Sequence, residues 1–141
     1  MTHALRVTEG SAAFRSLYAA IEREGERAGW LDLSALSSAP TAGEARDGGS
    51  GAGLDDDAWK AVAVEVGRTV AIKRRRGAPV LRDLMREHFS GCRVVLVRGE
   101  AALPLLRSHG EDWEIEDTGG ESRRLTTSEL VRALRSPRLG T

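Results

Sequence analysis

Cys92-Arg93-Val94-Val95-Leu96-Val97 decides the fold. Its near-continuous apolar run, closed by Gly99, predicts a strand covered on both faces, in the middle of a sheet that carries helices. Upstream, Gly77-Ala78-Pro79 opens a helix, with Pro79 suited to its first position. Leu81, Leu84, Met85 and Phe89 form the core stripe of that helix, and Gly91 stops it. The run Ala61 to Ile72 lies before it. Val62, Val64 and Val66 alternate, as do Val70 and Ile72, around Gly67-Arg68. Two such runs around a Gly-containing pair predict a β-hairpin. A helix through Trp59, Val62, Val66 and Val70 is the alternative; β-branching and Gly67 disfavour it.

Downstream, Leu103 to Leu106 is apolar but interrupted by Pro104, which predicts an edge strand or a loop. Trp113-Glu114-Ile115-Glu116 alternates, Thr118-Gly119-Gly120 turns the chain, and Arg123-Arg124-Leu125 pairs back. Thr126 and Glu129 have the spacing of a capping box. Leu130, Val131 and Leu134 then face the core, and Pro137 ends the last helix.

Near the start, Ala4 to Thr8 reads as a strand and Ser11 as a helix cap. Phe14, Leu17, Tyr18 and Ile21 fall on one helical stripe, and Gly29 ends that helix before a second strand, Trp30 to Leu33. Strand–helix–strand predicts two parallel neighbours with a right-handed crossover. Residues 37–54, rich in Gly, Ser, Ala and Pro, predict a flexible insertion, because they offer too little apolar surface to offset chain entropy. Asp55-Asp56-Asp57 restarts the structure. The expectation is one domain over 1–141 of the α/β (α+β) class. A mixed β-sheet with three packed helices follows the order β-α-β-(loop)-β-β-α-β-β-β-α.

The chain has 141 residues, 21 Lys and Arg, and 21 Asp and Glu, yet the charge is uneven. Residues 1–58 hold 5 Arg against 10 acids, whereas residues 59–98 hold 10 cations against 3 acids. Lys73-Arg74-Arg75-Arg76 is the densest block, and Arg82 and Arg86 follow at helical i, i+4 spacing. Such a basic edge asks for an anionic partner. No Phe, Tyr or Trp falls within 60–88, so a base-stacking platform is unsupported. A competing reading is an Arg-rich, solvated strand end that discourages edge-to-edge aggregation. Of the 21 cations 19 are Arg, a bias that GC-rich coding imposes on any surface.

Catalytic patterns are weak. His88 lies four residues before Cys92, but Cys92 enters a buried strand, where cysteine behaves as a small apolar residue. His3 and His109 fall at terminus and loop positions without spacing signal. Asp55 to Asp57 lack the Gly and Glu of a calcium loop, and capping explains them better than metal. Glu114 and Glu116 share a strand face and read as cross-strand partners of Arg123 and Arg124 rather than as an acid–base pair. No Gly-rich stretch has a phosphate-loop pattern. No catalytic residue, cofactor or metal is therefore expected.

A single cysteine excludes an internal disulfide and fits a reducing compartment. Residues 1–20 show no signal-peptide pattern, and no run reaches the about 18 apolar residues of a membrane span. A cytoplasmic, non-membrane protein is expected. The first functional expectation is a non-enzymatic interaction or accessory subunit that presents the basic edge 73–86 to an acidic protein partner or larger complex. The same residues Lys73, Arg74, Arg75, Arg76, Arg82 and Arg86 serve the second, a nucleic-acid-binding protein contacting phosphates. The third is a small hydrolase or nuclease whose acids are unassigned.

Overall fold

A computed structural model describes residues 2–37, 60–75 and 77–137. The elements are β1 (His3–Val7), α1 (Arg15–Arg23) after a 3-10 turn (Ser11–Phe14), β2 (Ala28–Asp32), β3 (Lys60–Glu65) and β4 (Arg68–Lys73). They continue with α2 (Leu81–His88), β5 (Val94–Arg98), β6 (Leu105–His109), β7 (Asp112–Glu116), β8 (Ser122–Leu125) and α3 (Thr127–Ala133). The class is α+β: a mixed six-stranded sheet in the order β2-β5-β1-β6-β7-β8, a separate β3-β4 hairpin and three α-helices. Residues 38–54 of the predicted insertion lie outside the described residues, as do Asp55 to Asp57, Trp59 and Arg76.

The 92–97 run forms β5, beginning at Val94, and Val94 to Val97 are all buried. It is flanked by β1 and β2, both parallel to it. The expectation that β1 and β2 are neighbours is therefore corrected. They are parallel, but β5 lies between them. A strand apolar on both faces gains most from the interior slot, so the later segment displaces the local pairing.

Pro104 misleads in a second place. The strand starts after it, at Leu105, so no ladder donor is lost. The Pro104 carbonyl accepts from the Arg6 amide at 2.7 Å. β6 is consequently an interior strand, parallel to β1 and antiparallel to β7, and not an edge. The β1–β6 pairing is a single register pair, Arg6 with Leu105. The sheet is thus a parallel half (β2, β5, β1) and an antiparallel meander (β6, β7, β8) joined by a short seam.

Alternation divides each strand between two faces. Leu5 and Leu96 are register partners and belong to one core cluster with Phe14, Leu17 and Ile21 from the α1 segment and Leu130 and Leu134 from the α3 segment. The scarce aromatics meet there. The Phe14 ring lies 6.1 Å from Trp30 and 5.7 Å from Trp113, and Trp113 Nε1 donates to Thr127 Oγ1 at 2.9 Å. Gly29 and Val95 are register partners on the opposite face, where the Phe89 ring at the end of α2 covers them. Helices α1 and α3 cover one side of the sheet and α2 the other.

Helix ends differ in detail from the sequence expectations. Gly25, not Gly29, ends α1: with φ of 76° its amide bonds to Glu22, while Glu26 bonds back to Ile21, the two hydrogen bonds of a Schellman motif. Gly29 is instead inside β2. Ser11 does not cap α1; it starts the 3-10 turn, and its hydroxyl pairs with Tyr18. Pro79 is not the first helical residue, because α2 begins at Leu81 with Val80 in extended conformation before it. The capping box forms as the spacing predicts: Thr126 accepts from the Glu129 amide, and Glu129 accepts from the Thr126 amide.

Candidate functional site

The β3-β4 hairpin pairs Lys60 with Lys73 at its open end and Glu65 with Arg68 at its turn. Its two faces are unequal. Ala61, Ala63, Val70 and Ile72 are half-buried. On the other face and in the turn, Val62 is 51% exposed, Val64 81% and Val66 fully exposed. The sequence shows this alternation but not which face is the more covered.

At the open end Lys73 Nζ donates to Glu87 Oε1 at 2.5 Å, tying β4 to the last turn of α2. That hydrogen bond, together with the charges of Lys73, His88 and Arg75, holds the Glu87 carboxyl below the usual range. Both side chains are more than a third exposed, so the pair adds little stability; its consequence is positional. It brings the hairpin end beside the helix that carries Arg82 and Arg86.

Arg74, Arg75, Arg82 and Arg86 are all exposed. Arg76 lies outside the described residues. The exposed part of α2 is not uniformly basic, because Asp83 and Glu87 alternate with Arg82 and Arg86. The edge read from sequence is therefore a mixed surface in which at least Lys73 is neutralised locally. Glu87 was visible in the sequence as an acid next to Arg86, but its reach to Lys73 depends on how hairpin and helix pack.

The weaker candidates are dispersed. His88 is exposed, 3.8 Å from Glu87 and edge-on to Phe89. Cys92 is partly buried, and burial pushes its thiol up despite the nearby Arg27 charge. That is opposite to the activation a nucleophile needs. His3 sits inside β1 rather than in a loose terminus, buried, with Nε2 donating to the Ser136 carbonyl at 2.7 Å. His109 ends β6 and accepts from Arg124 at 2.7 Å. Glu114 and Glu116 share a face, but their partner is Arg107, at 3.0 and 3.2 Å, and not Arg123 or Arg124. Arg107 faces Glu114 in the β6–β7 register and reaches the diagonal Glu116, a neighbour that only the interior position of β6 supplies. Among the described residues no three of His, Cys, Asp and Glu gather as a metal would require.

Among the described residues, cavities open at two places relevant to the site. One of about 320 Å³ lies near the seam, lined by Arg6, Leu105, Glu116, Asp117 and the 101–103 loop. The other, about 560 Å³, opens between α1 and α3. Neither is lined by His88 or Cys92. Sequence reasoning missed the second cavity. Its signal was the pair Arg132 and Arg135, three residues apart at the end of the last helix and in the turn after it, which had no assigned role.

No family model matches the chain, and no curated protein or solved structure gives a significant match. No described helix is long and apolar enough to cross a membrane.

Proposed function

We propose that the protein is a cytoplasmic, non-enzymatic interaction subunit. Its β3-β4 ribbon and the adjoining end of α2 receive an acidic segment of a protein partner, with Lys73, Arg74, Arg75, Arg76, Arg82 and Arg86 as the contacting cations. The observation that carries this reading is the combination of surfaces. Three valines stand exposed along one narrow ribbon, from Val62 near its cationic end to Val66 at its turn, at 51%, 81% and 105% of full exposure. An extended chain bearing both apolar and acidic side chains covers both features. Addition of a strand to a ribbon edge is the recognition mode such a shape favours.

A nucleic acid, the second expectation, engages only the cations. It leaves the valines in water, lacks an aromatic platform, and meets Asp83 and Glu87 within the same surface. The protein reading is preferred for that reason.

The test is affinity capture with the tagged protein, after nuclease treatment, in three forms: wild type, Arg74→Glu/Arg75→Glu, and Val62→Ser/Val64→Ser. A nuclease-resistant partner with an acidic segment, lost in both variants, supports the proposal. Loss of the partner on nuclease treatment, or binding to labelled DNA or RNA that falls steeply with salt and is indifferent to the valine variant, assigns the edge to phosphates instead.

A further inference from the structure

Helices α1 and α3 face each other over one cleft of about 560 Å³. Ala20 and Val131 contribute apolar surface to its lining. Its walls carry Arg23 and Glu24 from the end of α1, and Thr127, Ser128, Arg132 and Arg135 from the α3 segment. Among the described residues three guanidinium groups and one carboxylate therefore line a space of the size that holds small organic ligands, typically about 300–1,000 Å³.

The pairing within the cleft leaves a charge surplus. Among the described residues Glu24 is the only acid lining it, and it is taken by Arg135 in an ion pair. Arg23 and Arg132 make no hydrogen bond or ion pair among the described residues. They are fixed on separate helices whose buried faces share one core through Leu17, Ile21, Leu130 and Leu134. Two like charges held on the walls of one cleft disfavour each other, and an anion between them removes the penalty. Guanidinium forks match the oxygens of phosphate and carboxylate by paired N–H donation.

The hydroxyls select between those anions. Thr127 Oγ1 already accepts the Trp113 N–H, so its own proton remains to be donated. Ser128 stands beside it, exposed. Two hydroxyl donors and two arginines without a hydrogen bond or ion pair among the described residues, Arg132 sharing only a longer-range attraction with Glu129, suit an anion with three or more oxygens on one centre. The apolar lining from Ala20 and Val131 suits a non-ionic remainder.

We infer that the α1–α3 cleft binds a small phosphorylated molecule, with Arg23 and Arg132 holding the phosphate, Thr127 and Ser128 donating to it, and Arg135 kept in position by Glu24. The site does not depend on the ribbon or on the partner proposed for it.

The experiment is calorimetric titration at low ionic strength with inorganic pyrophosphate and adenosine monophosphate as probes, and citrate as a carboxylate control. Saturable binding of either phosphate probe is expected, with citrate at least tenfold weaker. Arg23→Gln/Arg132→Gln is expected to weaken the phosphate probe at least tenfold, with its circular dichroism spectrum and melting midpoint near wild type, since both residues are exposed. Ser128→Ala is expected to weaken it about threefold, and Arg74→Gln/Arg75→Gln to leave it unchanged. The inference is overturned by absence of saturable phosphate binding, by equal binding of citrate, or by wild-type affinity in the double-arginine variant.

Discussion

Gly29→Ala tests how α2 is seated, and two opposed effects make its sign informative. The position has ordinary negative φ, so alanine is conformationally allowed there. By itself the change restricts the unfolded chain and stabilises by about 0.4–1 kcal/mol. Against that, the new Cβ falls 2.5 Å from Phe89 Cδ1 and 2.9 Å from Cε1, with Val95 Cγ2 at 3.4 Å behind it. The nearest approach is roughly 1 Å inside the ~3.5–4.0 Å optimum for carbon pairs. Overpacking of this kind costs about 1–3 kcal/mol when the neighbour cannot retreat. Phe89 is half-buried and its amide is bound to the Met85 carbonyl at the helix end, so its backbone is anchored and the ring has to turn about its own side-chain bonds within a partly packed site to retreat. The clash is expected to win, giving a net loss of about 0.5–2 kcal/mol and a melting midpoint lower by a few degrees. The assay is urea denaturation of a four-member cycle: wild type, Gly29→Ala, Phe89→Leu and the double variant. In the Phe89→Leu background the alanine should become neutral or stabilising, a coupling of about 1 kcal/mol or more. If Gly29→Ala stabilises the wild type, or if the two changes are additive, Phe89 does not rest on Gly29 and the seat of α2 is wrongly placed.

Two further outcomes follow from local chemistry. Because burial raises the Cys92 thiol, labelling with a disulfide reagent at mildly alkaline pH should be slower in the folded protein than in urea; equal rates would contradict the burial. Thr126→Ala removes the cap of α3 and should destabilise by about 1 kcal/mol in denaturant titration. Glu129 is held below its ordinary value, first by the Thr126 amide and then by the Thr126 hydroxyl. A depressed carboxyl stabilises the fold above its unfolded pKa, and that part disappears as pH falls through the lower folded value. The stability difference between wild type and Glu129→Gln should accordingly shrink below about pH 4; a gap unchanged into acid would refute the capping role.

Local signals were legible where the deciding physics is local. The capping box at Thr126, the hairpin about Gly67, the alternation of Trp113 and Ile115, and the stripe Phe14, Leu17, Ile21 each depend on residues a few positions apart, and each forms. What the sequence did not show is pairing across the chain. Nothing in β1 or β2 says that β5, more than sixty residues later, enters between them. Pro104 looks like a strand breaker until the register shows it outside the ladder, offering only its carbonyl. Arg107 cannot be named as the partner of Glu114 and Glu116 until β6 is known to be interior. The candidate site divides in the same way. Its cations and its valines were readable, while Lys73–Glu87 and the α1–α3 cleft exist only once separate elements pack.

The division of β5 between two faces also governs how the two proposed surfaces relate. Leu96 points to the cluster beneath α1 and α3, and Val95 to Phe89 on α2. The arginine cleft therefore lies on one side of the sheet and the helix bearing Arg82 and Arg86 on the other. Four buried residues of β5, Val94 to Val97, separate them as a packed layer. Substitutions of exposed arginines on one side do not repack that layer, because their side chains end in water. Effects at sites this far apart without shared partners are expected to add rather than couple. Each set of surface variants is consequently the natural control for the other: a change that abolished both bindings would report damage to the sheet between them and not the loss of a contact.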